Sequence, residues 1–390
     1  VYSNVSVSGF ADLPLHTGHV PPWLYSRMVK LSGLIAGLLV DNHGIRGTIR
    51  LFSNPLFFQA FNNIIGMDWD SSGSTTITTA ALKEALLKRD IGIRVVGGKG
   101  VYALNAPVEI DELSRTWGVD ADLLKLASRL SAKIDNTALQ DGYRLYHHAM
   151  LVGSDGTWTV IQQGLNEKIR YARRYHIWME NDLVNEPHTG IVGVKGNHAL
   201  NMVSRASGDA RNAVLDIVHQ DPNKVARDWA VIKAMMKGNT TILTYLGRET
   251  PKYYNPYLSG SFRPYLASLN EDALRQARNA NDFKDLLLIR GLGPSTMLAL
   301  ALIAELIYRD PVDWEDPANI DPRRYAFALG GKDGSPYPVD KEVYDAVIDI
   351  IQAIVDRARQ DRGLTIYLRH MAKVARQLNL PTDLVRPTPP

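Results

Sequence analysis

Cysteine is absent from the 390 residues, which excludes disulfides, thiolate nucleophiles and cysteine-ligated zinc together. Any bound metal must then sit on histidine, aspartate or glutamate. Long apolar runs are missing as well. The best, Leu31 to Val40, is interrupted by Gly33 and Gly37 and falls short of the roughly 18–20 residues that a membrane span needs. The first residues lack the basic stretch, apolar stretch and small-residue cleavage site of a secretory signal. A cytoplasmic protein with no membrane partner is expected. Net charge is small too, formally +3, and such a sum neither supports nor excludes a nucleic-acid partner, because basic faces are hidden in whole-chain totals. No repeat of roughly 20–50 residues recurs, which argues against a solenoid.

What is present has the composition of a globular protein, 45% apolar and 22% charged, with length enough for two or three domains. The expected fold class is mixed α/β: an α+β region over residues 1–220 with a central hairpin, a helical linker over 221–268, and an all-helical region over 269–390. Apolar periodicity and Pro21-Pro22 predict a first helix carrying Leu24, Met28, Leu31 and Ile35. Further helices are predicted from Pro55 to Ile65, Thr78 to Arg89, Pro107 to Trp117, Asp120 to Leu130 and Asn201 to Val218. Gly97-Gly98-Lys99-Gly100 reads as a glycine-rich turn. His16 and His19, spaced i, i+3 before the first helix, are either metal ligands or ordinary loop residues, and Asp68-Trp-Asp70-Ser-Ser-Gly-Ser-Thr-Thr76 either caps the third helix, holds a divalent cation or offers its N–H groups to a phosphate.

The densest chemistry lies between Lys133 and Trp178. Tyr143 to Val152 and Thr157 to Gln163 are rich in β-formers and flank Gly153-Ser-Asp155-Gly156, a hairpin signal. On a strand, His147 and His148 point to opposite faces, so only one of them can share a site with given neighbours. Arg170, Arg173 and Arg174 follow at helical spacing, which would group positive charge for a phosphate backbone. Asp135, Asp141 and Glu186 are candidate ligands for Mg²⁺ or Mn²⁺. A buried structural network of the same Asp, Gln, Tyr and His residues is the competing interpretation.

Three resemblances add to this. Phe283 to Glu305 places an apolar helix, Ile289-Arg290-Gly291-Leu292-Gly293 and a second apolar helix starting Pro294-Ser295-Thr296 in succession. It resembles the helix-hairpin-helix of DNA repair proteins, which implies backbone-phosphate binding by Gly291 to Thr296. Two glycines permit close approach of the turn, and a helix N-terminus favours an anion. Some base-excision glycosylases follow that motif with an aspartate in a Val-Asp context, which Pro338-Val339-Asp340 echoes at a greater distance. His148, Asp155 and Asn166 resemble a degenerate phospholipase D signature. That likeness implies His148 as nucleophile, Asn166 as stabiliser of the phosphoryl oxygens, and a second histidine, His147, His176 or His188, or a homodimer. Met150 stands where that signature has lysine. Gln162-Gln163 is similar to the active strand of restriction-type nucleases, again without its lysine.

Across nearly the whole chain, Gly9-Phe-Ala-Asp-Leu-Pro-Leu-His16, Gln140-Asp-Gly-Tyr-x-Leu-Tyr-His-His148 and Gly330-Gly-Lys-Asp-Gly-x-Pro-Tyr-Pro-Val-Asp340 resemble a mainly archaeal family catalogued as domain of unknown function 763. Together these readings lead to an expected DNA-binding nuclease with little sequence preference. It would use either the histidine route without cofactor or a metal route through Asp135, Asp141 and Glu186, with Gln163 orienting water. A non-catalytic DNA-binding scaffold and a glycosylase-like enzyme are the alternatives.

Overall fold

The computed structural model describes residues 20, 22–67, 72–236 and 255–320. The motifs at His16, His19, Asp68, Asp70 and Gly330 to Asp340 lie outside these residues. Helices α1 (Pro22–Ser53), α2 (Pro55–Ile64) and α3 (Gly73–Lys88) lead to strand β1 (Ile93–Lys99). A short 3-10 turn (Gly100–Asn105) precedes α4 (Ala106–Trp117) and α5 (Ala121–Lys133). A π turn (Ile134–Ala138) then brings the chain to β2 (Leu139–Gln140), β3 (Arg144–Gly153) and β4 (Trp158–Asn166). Strands β5 (Tyr171–Trp178), β6 (His188–Val192) and β7 (Leu200–Asn201) follow. The remaining described helices are α6 (Gly208–His219), α7 (Pro222–Met236), α8 (Glu271–Ala277), α9 (Phe283–Leu288) and α10 (Pro294–Ile303).

The class is mixed α/β, with one antiparallel sheet in the order β1-β3-β4-β5-β6. The expected hairpin is β3–β4. Its run Ala149-Met-Leu-Val152 is apolar on both parities because both faces of the sheet are covered. Ala149, Leu151 and Ile161 pack with α1, α2 and α3 in one cluster. Met150, Val152 and Val160 pack with α4 and α5 in another. Met150 therefore sits in the core, where the lysine of the phospholipase-like pattern would be a buried charge.

The C-terminal helices pack on Leu130, Ile134, Leu139, Tyr175 and Ile191, and this cluster also holds Val214, Val225, Leu274 and Leu298. The divisions expected near residues 220 and 268 cut through that continuous core. Helix α10 lies at its centre, with Met297 through Ala304 fully buried.

Three local expectations are corrected. Asn201 belongs to β7, and the helix expected from it begins at Gly208. The Gly97-Gly98 stretch closes β1 instead of forming a turn. Here β1 is an edge strand, and two helices meet beyond its edge to satisfy it. Glu109 of α4 accepts the Gly97 N–H at 2.6 Å, Lys83 of α3 donates to the Gly97 carbonyl at 2.8 Å, and the two side chains pair at 2.6 Å. Gly97 has φ +82°, and a Cβ there would lie 2.3 Å from the His148 carbonyl oxygen. Gly97→Ala is therefore expected to cost more than about 2 kcal/mol, since positive φ and a backbone collision add. A thermal melt that matched wild type would reject this account.

The third correction concerns the basic segment. Residues 171–178 form β5, not a helix. Arg170 stays exposed in the β4–β5 turn at φ 60°, while Arg173 and Arg174 are fully buried on opposite faces. The charge grouping expected from helical spacing is thereby dispersed.

Candidate nucleic-acid interface and buried polar rows

Register assembles the hairpin's polar residues into two rows. Lys99, His147, Gln163 and Arg174 are cross-strand partners on β1, β3, β4 and β5, as are Gly98, His148, Gln162 and Tyr175. Directly opposed residues share a face and successive residues alternate. The first row thus lies under α3 and the second under α5.

On the α5 side, His148 donates from Nδ1 to Gln162 Oε1 at 2.8 Å, and its Nε2 accepts from Ser128 Oγ at 2.8 Å. The tautomer follows from the partners, because the amide oxygen can only accept. Gln162 Nε2 donates to the Ser131 carbonyl at 3.1 Å and to Asp135 Oδ2 at 2.5 Å. His188 Nε2 completes the chain on Asp135 Oδ1 at 2.5 Å. Burial holds the His148 ring below its usual pKa, with the Gln162 hydrogen bond opposing. With both nitrogens engaged, His148 lacks the free lone pair that a nucleophile needs. Sequence reasoning named His148, Asp135 and His188 but missed Ser128, which no local pattern marks.

On the α3 side, His147 faces Thr79 Oγ1 at 3.1 Å, and its Nδ1 has no hydrogen-bond partner among the described residues. Burial, then the neighbouring His148 and Lys99, depress its pKa to about 3. Gln163 donates to the Ser72 carbonyl at 2.7 Å and to the Tyr146 hydroxyl, and accepts from Thr75 Oγ1. His176, on the same face, contacts the Phe52 carbonyl at 3.2 Å and the Phe58 ring edge. Burial, then Arg174, push its pKa well down. Arg174 lies over the Phe58 ring at 4.7 Å.

The metal expectation meets three separated carboxylates. Asp141 accepts from Arg173 Nη1 at 2.8 Å and Tyr175 Oη at 2.7 Å. Asp135 is held by Gln162 and His188, and Glu186 accepts the Arg205 N–H at 2.8 Å. No group of three or more His, Asp or Glu that could hold a metal occurs among the described residues. Asn166 also has a local job: its side chain accepts the N–H groups of Lys168 and Ile169 at 3.1 and 3.4 Å, shaping the β4–β5 turn.

Arg173 anchors a further buried node. It binds Asp316 through Nη1 and Nη2 at 2.9 and 2.8 Å, donates to the Val194 carbonyl at 2.5 Å and lies over the Tyr143 ring at 4.3 Å. Burial lowers its pKa, but the two carboxylates more than offset this and hold it above the ordinary arginine value.

The segment between α9 and α10 differs from these sites in being partly open. Arg290 and Gly291 are exposed, Gly291 takes φ +85°, and Leu292 plugs into the core. Its carbonyls turn inward. Leu292 O accepts from Lys133 Nζ at 2.7 Å, Pro294 O from Gln140 Nε2 at 2.8 Å, and Ser295 O from the Ser268 N–H at 3.1 Å. Burial lowers the Lys133 pKa. The N–H groups of Gly293, Ser295 and Thr296 have no acceptor among the described residues. Beside them a groove of about 510 Å³ is lined by Ala132, Asn136, Arg144, Leu145, Tyr265 and Pro294.

These features define a three-layer protein in which an antiparallel sheet carries two buried polar rows and a docked helix pair presents a partly open hairpin. The chain matches the family described as Protein of unknown function (DUF763) over residues 9–339 and belongs to it. No curated protein and no solved structure matches the chain. No described helix is long and apolar enough to cross a membrane.

Proposed function

We propose that the chain is a nucleic-acid-binding protein that holds a phosphodiester backbone at Gly291–Thr296. The observation that carries this is the division of the hairpin's backbone: its carbonyls are tied inward by Lys133, Gln140 and Ser268, while the N–H groups at the start of α10 have no partner among the described residues. Such N–H groups, with the helix dipole behind them, suit an anion. Arg290 in the hairpin and Arg144 in the adjoining groove are exposed cations for flanking phosphates. Contacts of this kind position a duplex or strand without reading bases.

Binding is favoured over hydrolysis because His148 has both ring nitrogens engaged, and Asp135, Asp141 and Glu186 each have separate structural partners. The test is fluorescence anisotropy with labelled single- and double-stranded DNA of mixed sequence. Wild type should bind with affinity falling steeply as salt rises. Ser295→Glu places a carboxylate where the helix tolerates it and a phosphate does not, and should weaken binding about tenfold or more without lowering Tm. Unchanged affinity in that variant, or no binding at low salt, would reject the assignment. The same labelled DNA incubated with Mg²⁺ or Mn²⁺ tests for cleavage.

A further inference from the structure

On the opposite side of the sheet from α5, α3 and the β1 edge enclose a largely apolar cleft of about 1120 Å³, whose wall includes the Lys83–Glu109 pair and Tyr146. Its walls include Tyr25, Ile77, Leu87, Tyr102 and Tyr146, with Leu87 and Tyr102 more than half exposed at the rim. A space of this size, walled by aromatic and aliphatic groups with a few polar ones, has the make-up of a small-molecule site.

The cleft wall carries two lysines, Lys83 and Lys99, and two glutamates, Glu84 and Glu109. Lys83 is paired with Glu109, and Glu84 with Lys88, both at 2.6 Å. That leaves Lys99, whose contact among the described residues is with the Tyr146 ring, 6.0 Å from its centroid. Lys99 heads the row that continues through His147 and Gln163 to Arg174. Arg174 is fully buried, yet its guanidinium reaches neutral oxygens, Thr75 Oγ1 at 3.5 Å and Gln59 Oε1 at 3.2 Å, and its Nε has no partner among the described residues. Among the described residues no carboxylate neutralises it. Arg174 stands three strands from Lys99 and outside the cleft wall, so the contact with an anion rests on Lys99 itself. Next to Lys99, Gly100 at φ +59° has nothing within 4 Å of where a Cβ would stand, which leaves the backbone there open to a ligand.

We propose that this cleft binds a nucleoside phosphate, with the base among the tyrosines and the phosphate at Lys99. The same chemistry is offered by a free nucleotide and by the phosphorylated end of a nucleic-acid strand. The inference does not depend on the hairpin, and its test separates the two. In titrations of the full chain, nucleoside mono- and triphosphates should bind and raise Tm, the parent nucleosides should bind at least tenfold more weakly, and Lys99→Glu should weaken the nucleotides about tenfold or more. Ser295→Glu should leave nucleotide binding intact. Competition against a fluorescent nucleotide by 5′-phosphorylated and 5′-hydroxyl oligonucleotides then identifies the source: displacement by the phosphorylated strand assigns strand ends, and failure of both strands assigns free nucleotides. The proposal is overturned if nucleotides do not bind at millimolar concentration. Equal affinity for nucleosides, indifference to Lys99→Glu, or loss of nucleotide binding in Ser295→Glu would overturn it too.

Discussion

Asp316→Ala should lower unfolding stability by about 3–5 kcal/mol, the usual result of stripping one partner from a buried ion pair. The size follows from how much one carboxylate does. Asp316 receives two hydrogen bonds from the buried guanidinium of Arg173 and also accepts the N–H groups of Gly196 at 2.7 Å and Ala318 at 2.9 Å. Without it, Arg173 retains Asp141 as its one carboxylate partner among the described residues in a site with no access to water, and two loops lose their tie to β5. The Asp141 carboxylate is read as ionised because Arg173, Tyr175 and the Tyr143 N–H all converge on it, although burial by itself pushes its pKa upward. The neighbouring control is Lys195→Ala. Its partner Glu315 is largely exposed, as is Lys195, so the expected cost is below about 1 kcal/mol. Urea denaturation of both variants checks the contrast, and near-equal losses would show that Arg173 is not the anchor described.

The second large effect concerns acid. His147, His148 and His176 are buried and neutral, each with its pKa lowered chiefly by desolvation. In the unfolded chain they would titrate near 6.5. Below that value the unfolded state takes up protons that the folded state refuses, so stability falls as pH falls, by about 1.4 kcal/mol per pH unit for each histidine. Glu305 acts oppositely. Burial, against hydrogen bonds from Trp314 and Asn255, raises its pKa to about 7. Its contribution is full below the ordinary carboxyl value of 4.5 and is lost as pH rises through about 7. Three histidines outweigh one glutamate, so stability should decline steeply between about pH 6.5 and pH 5. Denaturant midpoints measured across that range test this, and His147→Gln should flatten the slope. A stability that held constant from pH 7 to 5 would contradict the burial of these rings.

Much of this architecture could be read from local pattern. The β3–β4 hairpin is announced by Gly153-Ser-Asp-Gly156 between β-forming runs, and alternation alone separates His147 from His148. Leu292 in its Gly-x-Gly frame and the apolar run after Pro294 mark the second helix pair. The errors come where burial is decided at a distance. Arg170, Arg173 and Arg174 have the spacing of a helix face, and nothing nearby reveals that Arg173 will meet Asp316, 143 residues later. Asp141 and Asn166 are chemically able residues whose roles as a counter-ion and a turn former depend on partners that residue type does not disclose. Ser128 and Thr75 are invisible for the same reason: each becomes informative only once its helix is laid across the sheet. The cleft was least legible, because it arises between α3 and the β1 edge and belongs to no single segment.

The ion pair of Lys83 and Glu109 on Gly97 has one more consequence, for assembly. At the other end of the sheet, Val192 of β6 is bridged in parallel by Ile320, and Ile320 also exchanges backbone hydrogen bonds with Ile191 and Gly193. Each margin of the five-stranded sheet is thus met at one point by the chain itself, at Gly97 by side chains and at Val192 by the segment carrying Ile320. Backbone groups engaged in this way are withdrawn from pairing with an added strand. Another copy adding a strand at Gly97 or beside Val192 would have to displace these contacts, which disfavours edge-to-edge pairing at those points.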